Sequence, residues 1–234
     1  MKSVEMMHYS DRIQTSRFSI FASPILPMFH VPQLWTCSSQ NRLGAARNRT
    51  YTMVMDQDIA RILFHHDQIS ARVRQMAAEI AAVYGGHKPA LTMVPILSGS
   101  IIFLADLIRE LPLKMKIALV QVSAYPGKTV EAVSPRTVIE LTGDVADRDV
   151  LIVDDILDSG STLRRVRAMI SERGPRSIRT AVLLRKPSKT PPDIRADFVG
   201  FDVEDLFVVG YGLDFGDYYR NFPHIGVLRA ELLP

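Results

Sequence analysis

Residues 150–162 read VLIVDDILDSGST, and no other stretch narrows the possible fold as much. Four apolar residues suited to a strand buried on both faces stop at two acids, Asp154 and Asp155. Asp158, Ser159, Gly160, Ser161 and Thr162 then run into a helical pattern. Gly160 permits a tight loop whose backbone N–H groups point inward, and the hydroxyls at 159, 161 and 162 add neutral donors. A helix starting there contributes unpaired N–H groups and the positive end of its dipole. Such a cradle accepts a phosphate monoester without a lysine. The paired aspartates suit Mg2+ or sugar hydroxyls, because carboxylates bind hard cations and accept from hydroxyls. Asp158, at the rim, can accept a proton from a group on the same sugar.

Two simpler readings compete with this one. Asp158 or Ser159 could serve only as a helix N-cap in an Asx-rich turn. An apolar strand ending in acids also opens the receiver domains of bacterial response regulators. There the acids lie near the domain's N-terminus and the phosphoacceptor follows on a later strand. Here they lie deep in the chain and lead straight into the glycine loop, and the combined pattern is far more specific than either half.

Around this motif, apolar runs alternate with helical periodicity, and no internal repeat is visible. Ile59–Phe64 is apolar apart from Arg61; Ile69, Val73, Met76, Ala77, Ile80 and Val83 then recur at helical spacing up to Gly85–Gly86. Leu91–Leu97 and residues 117–122 read as strands, with a helix from Ile101 to about Glu110 between them. Residues 124–135 contain Pro126, Gly127 and Pro135 and read as a long functional loop, with a short strand at 137–141 beyond it. Strands at 149–153, 178–184, 198–201 and 207–209 and a helix at 162–172 complete the list. The alternation predicts an α/β fold with a mostly parallel sheet covered on both faces. Ligands in such sheets collect beyond the carboxyl ends of the strands, near 97–100, 154–162 and 185–186.

The net charge of +3 is unevenly placed. Residues 1–52 hold six basic side chains against Glu5 and Asp11, a balance of +4 that leaves −1 for residues 53–234. The basic isoelectric point therefore belongs to the leader and does not point to nucleic acid. Residues 1–52 read as a disordered leader or an over-long reading frame that starts properly at Met53 or Met55, although several arginines and few acids also suit a transit segment. The folded body is expected at 53–234. Cys37 is the only cysteine, which suits a reducing, cytoplasmic compartment, and no apolar run approaches the roughly 18 residues of a membrane span.

The segments DDILDSGSTL, LLRKPS, DFVGFDVEDLFVVGYGLD and YYRNFPHIG resemble, in order and spacing, the hypoxanthine (guanine) phosphoribosyltransferases of the type I phosphoribosyltransferase family. The similarity spans roughly residues 59–230. It implies the type I fold, a mostly parallel central sheet flanked by helices with a small hood over the base site, formed by the N- and C-terminal parts of the body. It implies transfer of the phosphoribosyl group of phosphoribosyl diphosphate (PRPP) to a 6-oxopurine with Mg2+, in a homodimer or homotetramer. Asp154 and Asp155 would hold the ribose hydroxyls, directly or through metal-bound water, and Ser159 to Thr162 the 5-phosphate. Asp158 would be the general base for the purine N7. Lys186 would donate to the 6-oxo group, and Phe207 and Val208 would stack on and bond the base. Asp214 would reach a second Mg2+ or the group at purine C2, and Arg220 the pyrophosphate.

The chain departs from the family at three places. Relatives commonly carry a basic residue where Ser98 stands, in a pyrophosphate-binding turn with Gly99 and an unusual cis peptide, so only the backbone role carries over. The lid loop usually opens Ser-Tyr and here opens Ala124-Tyr125. Ser161 replaces a lysine of some relatives. Other functions compatible with the motif are a nucleic-acid-binding regulator that keeps the PRPP loop, which the −1 body disfavours, and a xanthine-preferring enzyme. The expected partners are therefore small molecules, PRPP and a purine, and neither nucleic acid nor membrane.

Overall fold

The computed structural model describes residues 55–86, 91–125 and 136–233; the leader and residues 126–135 of the expected loop lie outside them. In chain order the elements are β1 (Ile59–Phe64), α1 (His66–Tyr84), β2 (Leu91–Leu97), α2 (Ile101–Glu110), β3 (Met115–Ile117), β4 (Val120–Tyr125), β5 (Arg136–Leu141), β6 (Asp149–Leu157), α3 (Ser161–Ser171), β7 (Ser177–Arg185), β8 (Phe198–Asp202), β9 (Val208–Val209) and β10 (Ile225–Leu228).

The main sheet runs β5-β4-β2-β6-β7-β8, with β3 also on β2; all its pairings are parallel except β4–β5. The mostly parallel sheet expected from the alternating pattern is therefore present. Alternate residues of β6 and β7 divide between two apolar layers, as a sheet buried on both faces requires. Leu151, Val153, Ala181 and Leu183 pack with Ile69, Met76 and Ile80 of α1 and Phe103 and Leu107 of α2. Val150, Ile152 and Val182 pack with Leu163, Val166 and Ile170 of α3. Arg72 ties α1 to the sheet edge, its Nε and Nη2 donating to the carbonyls of Gly200 and Val199 at 3.0 and 2.7 Å.

One expected strand, 117–122, is two. Its first part pairs with the start of β2 (Leu91↔Met115 to Met93↔Ile117) and its second with the end (Ile96↔Val120, Leu97↔Gln121). Between them the chain changes partner: Leu119 N–H turns to the Thr142 hydroxyl at 3.2 Å, and Thr142 N–H to the Leu119 carbonyl at 2.9 Å. The loop expected from 124 also starts later, since β4 and β5 pair as a hairpin up to Tyr125↔Arg136. Hydrophobic periodicity cannot report either feature, because both are decided by cross-strand partners.

A second sheet, β1-β10-β9, is antiparallel and joins the two ends of the described body. Ile59, Val209, Phe222 and Leu228 form its small core. Gly226 makes the close β1–β10 approach possible, since a Cβ there would lie 2.6 Å from Ile59 Cγ2. His224 Nδ1 accepts from the backbone N–H of His66 at 2.9 Å, which ties this sheet to the start of α1.

Phe103 is fully buried in the layer shared by α1, α2 and the sheet. Phe103→Ala is expected to destabilise the fold by about 3–5 kcal/mol, read as a lower denaturant midpoint at unchanged m.

Candidate active site at the end of β6

β6 does not stop at Val153. It continues through both aspartates to Leu157, paired with β7 as far as Leu157↔Arg185. On its other side the pairing with β2 ends at Pro95↔Val153. Asp154 and Asp155 thus sit inside a strand, where one edge has lost its neighbour. The expected end of the strand at Val153 is corrected: Ile156 and Leu157 pair with Leu184 and Arg185 and keep the strand anchored on β7.

A cavity of about 340 Å³ fills the gap, lined by Leu97, Gly99, Asp154, Asp155 and all five residues from Asp158 to Thr162. Gly160 has φ +70° and its carbonyl accepts the Arg164 N–H at 2.9 Å, starting α3. Its missing side chain matters twice: the left-handed backbone favours glycine, and a Cβ would lie 2.5 Å from Ile194 Cδ1. Gly99 is under a tighter constraint. A Cβ there would fall 1.8 Å from Asp155 Oδ2, so the carboxylate occupies the space that any other residue would need. The Leu97–Ser98 peptide is cis. Ser98 itself does not line the cavity, whereas its neighbours Leu97 and Gly99 do.

The two acids are poor ions in this position. Burial, then the adjacent Asp155 charge, pushes the Asp154 carboxyl well above the usual carboxylate range. Burial also raises Asp155, against the lowering effect of its bond to Asp154, the Ile156 N–H (2.9 Å to Oδ1) and the Arg220 charge. Two closely placed acids in a desolvated gap attract a proton or a cation.

Asp158, in the same lining, has a cationic partner. Its Oδ2 lies 3.1 Å from Nζ of Lys186, a buried lysine that also reaches Asp205 Oδ1 at 3.1 Å. Lys189 Nζ holds the second oxygen of Asp205 at 3.0 Å, and Lys189, then Lys186, keeps the Asp205 carboxyl below its ordinary range. The Thr190 hydroxyl lies 2.9 and 3.0 Å from the carbonyl oxygens of Lys186 and Asp158, bracing the two turns together. Asp205 was not singled out from sequence; no motif spacing marks an ion pair formed across 19 residues.

The remaining expected site residues do not line the cavity. Phe207 is half exposed with its ring edge-on to Phe215 (5.5 Å, 87°), and Val208 beside it is buried. Asp214 pairs with Arg220 Nη2 at 2.8 Å and accepts the Asp217 N–H at 2.9 Å. Arg220 Nη1 donates to the Gly212 carbonyl at 2.8 Å. Gly212 meets the first wall directly, since a Cβ there would lie 2.2 Å from the Gly99 carbonyl oxygen. Ala124 and Tyr125 fall at the end of β4, at the foot of the hairpin. Among the described residues no group of three or more His, Cys, Asp or Glu converges on a metal position. Asp214, expected at a second Mg2+ or at the group on purine C2, is engaged by Arg220.

Both the sequence and the fold have known relatives. Residues 60–216 match the phosphoribosyl transferase domain family. The chain is 39% identical to a hypoxanthine-guanine phosphoribosyltransferase of Bacillus subtilis over 179 residues, 76% of this chain and 98% of that one. The corresponding enzyme of Streptococcus pneumoniae is 38% identical over the same shares. A crystal structure of a hypoxanthine phosphoribosyltransferase from Staphylococcus aureus superposes with a TM-score of 0.70 at 35% identity, covering 77% of this chain and 97% of that one.

The raised carboxyls make stability depend on pH in a stated direction. A buried acid whose pKa is raised on folding leaves stability intact below its unfolded pKa, about 3.9, and lowers it as pH rises through the folded value. Asp154→Asn, which stays neutral, should therefore melt above the wild type at pH 7–8. The gap should close as both are acidified below pH ~4, which melting curves across pH would show.

Proposed function

This chain belongs to the phosphoribosyltransferase family, and we propose that it transfers the phosphoribosyl group of PRPP to hypoxanthine and guanine, releasing pyrophosphate in purine salvage. One observation carries the reading: Asp158 belongs at once to the phosphate loop and to the ion pair with buried Lys186. A single residue thus stands between a seat for a sugar phosphate and a donor for a flat, oxygen-bearing base.

The residues divide the work accordingly. The N–H groups and hydroxyls of Ser159–Thr162 hold the 5-phosphate at the start of α3. Asp154 and Asp155 hold the ribose hydroxyls. Their adjacent oxygens also fit Mg2+, which takes one or two carboxylates and completes its shell with substrate oxygens and water. The chemistry this ion supplies when bound is neutralisation of charge on the departing pyrophosphate. The purine N9 forms the new bond to the ribose C1 as the C1–O bond to pyrophosphate breaks. Asp158 takes the proton lost from N7, while Asp154 and Asp155, ionised once a cation is bound beside them, would favour the positive charge developing on the sugar. Lys186 donates to the 6-oxo group, Phe207 stacks on the base and Val208 bonds it through the main chain. Release of Asp158 from Lys186 as the base arrives frees both groups for these tasks. Arg220 meets pyrophosphate, with the backbone at Ser98–Gly99 opposite it; Asp214 can reach the group at C2 once Arg220 turns to its ligand. The loop that follows Tyr125 is assigned the role of a lid by the family resemblance.

A cytoplasmic setting is supported by the single cysteine of the sequence, Cys37, which suits a reducing compartment. A homodimer or homotetramer is supported by large apolar side chains left exposed at Ile101 and Ile102 of α2 and at Ile117 and Leu119 beside β3.

Two measurements test the reading. Asp158→Asn should fold as the wild type does but lose about 10²–10⁴ in kcat; unchanged turnover would remove Asp158 from the chemistry. With PRPP and Mg2+, hypoxanthine and guanine should react well and adenine poorly, since an amino group leaves Lys186 without an acceptor. Adenine as the best substrate would contradict the role of Lys186, and xanthine is the informative third arm.

A further inference from the structure

The loop carrying Asp214 and Arg220 enters through three successive left-handed residues: Gly210 (φ +99°), Tyr211 (φ +52°) and Gly212 (φ +104°). Both glycines are wedged against backbone. A Cβ at 210 would lie 2.0 Å from the His224 carbonyl oxygen, and one at 212 would lie 2.2 Å from that of Gly99. Between them stands a residue that has a Cβ in a conformation that disfavours one. Tyr211 is buried, and its hydroxyl donates to Asp106 Oδ2 of α2 at 2.5 Å, across 105 residues. Asp106 is itself held, because Arg109 bonds its other oxygen while Arg109 Nε donates to the Ala105 carbonyl. Burial, then Asp106, raises the Tyr211 pKa, so the hydroxyl remains a donor.

α2 starts directly after the Gly99 turn, so Asp106 is rigidly placed with respect to one wall of the site. Tyr211 is equally fixed to the other wall. Its N–H donates to the Phe222 carbonyl at 2.7 Å, and Gly212 N–H to that of Arg220 at 2.9 Å. Arg220 in turn donates back to Gly212. The Tyr211–Asp106 bond therefore closes a ring running from Gly99 through α2 to Tyr211, Gly212 and back to Gly99.

We propose that Asp106 and Tyr211 are positioning residues whose bond sets the spacing between the Gly99 turn and the Arg220 loop, and thereby the affinity for the diphosphate of PRPP. Neither touches substrate; both act through the backbone they hold. The inference rests on the reading of these two walls as the pyrophosphate site. The base-binding residues Lys186 and Phe207 lie outside the ring, so the effect is selective for one substrate.

The test uses the full chain with Tyr211→Phe, Asp106→Ala and Asp106→Asn. Steady-state kinetics give KM for PRPP and for hypoxanthine, and calorimetry gives Kd for pyrophosphate with Mg2+. Tyr211→Phe and Asp106→Ala should each raise KM for PRPP and Kd for pyrophosphate about tenfold, one lost hydrogen bond of the charged class. KM for hypoxanthine should stay within about twofold. Asp106→Asn, which keeps an accepting oxygen, should recover most of the affinity. Wild-type pyrophosphate affinity in Tyr211→Phe overturns the proposal, as does an equal loss for both substrates in step with a lower melting point. Wild-type protein that binds pyrophosphate but turns over no purine would sink the functional reading and leave the clasp to be judged by the Kd series. Wild-type protein that binds no pyrophosphate overturns both.

Discussion

Three layers of the site touch with no room for a side chain between them. The Asp155 carboxylate occupies the space beside Gly99 where a Cβ would stand, and the Gly99 carbonyl fills the corresponding space beside Gly212. β6, the turn after β2 and the loop before Arg220 come from distant parts of the chain, yet they meet at this contact. A methyl group at position 99 would have to displace the Asp155 carboxylate, and one at 212 would have to move the backbone of the Gly99 turn. The cavity, the phosphate loop and the Arg220 loop all take their relative positions from it.

The electrostatics follow from the same geometry. Ending the β2–β6 pairing at Val153 while β6 runs on to Leu157 opens a gap that is desolvated but lined by acids. Asp154 and Asp155 are held there in a state that favours a proton over a charge, which is how a site stores affinity for a cation or for hydroxyl donors. Asp158 and Asp205, by contrast, share one buried lysine, so their charges and that of Lys186 are balanced within the protein. On the proposed reading, the first pair of acids serves the ribose and the ion-paired group serves the base.

Much of this was readable residue by residue. The apolar face of α1, the bounds of β2 and the start of α3 at the glycine loop are local features, governed by periodicity, capping and backbone freedom over a few residues. The phosphate loop was legible for the same reason, because Asp158 to Thr162 form one continuous turn. Less visible were the break at Leu119, the reach of β6 beyond Asp155, and strand β10. In each case the deciding bond comes from a partner far along the chain: Thr142, β7 and β1 respectively. Asp205, Asp106 and Tyr211 escaped notice likewise, since nothing in their own surroundings in the sequence marks them as partners of Lys186 and of each other.

From the sequence alone came the class of fold, the position of the glycine turn between a strand and a helix, and, through the family resemblance, the expected groups for a sugar phosphate and a purine. These depend on residue type and on order along the chain, which a linear reading preserves. Only the tertiary structure decided that Asp158 is paired with Lys186, that Asp214 is held by Arg220, and that Gly99 yields its space to Asp155. Ion pairs and close approaches are relations between positions in space, and a pattern of types along a chain does not encode their distances. The stretch from Val150 to Thr162 by itself pointed to a phosphate-binding turn after two acids, while the packing of β2, β6 and the Arg220 loop set where each charge stands.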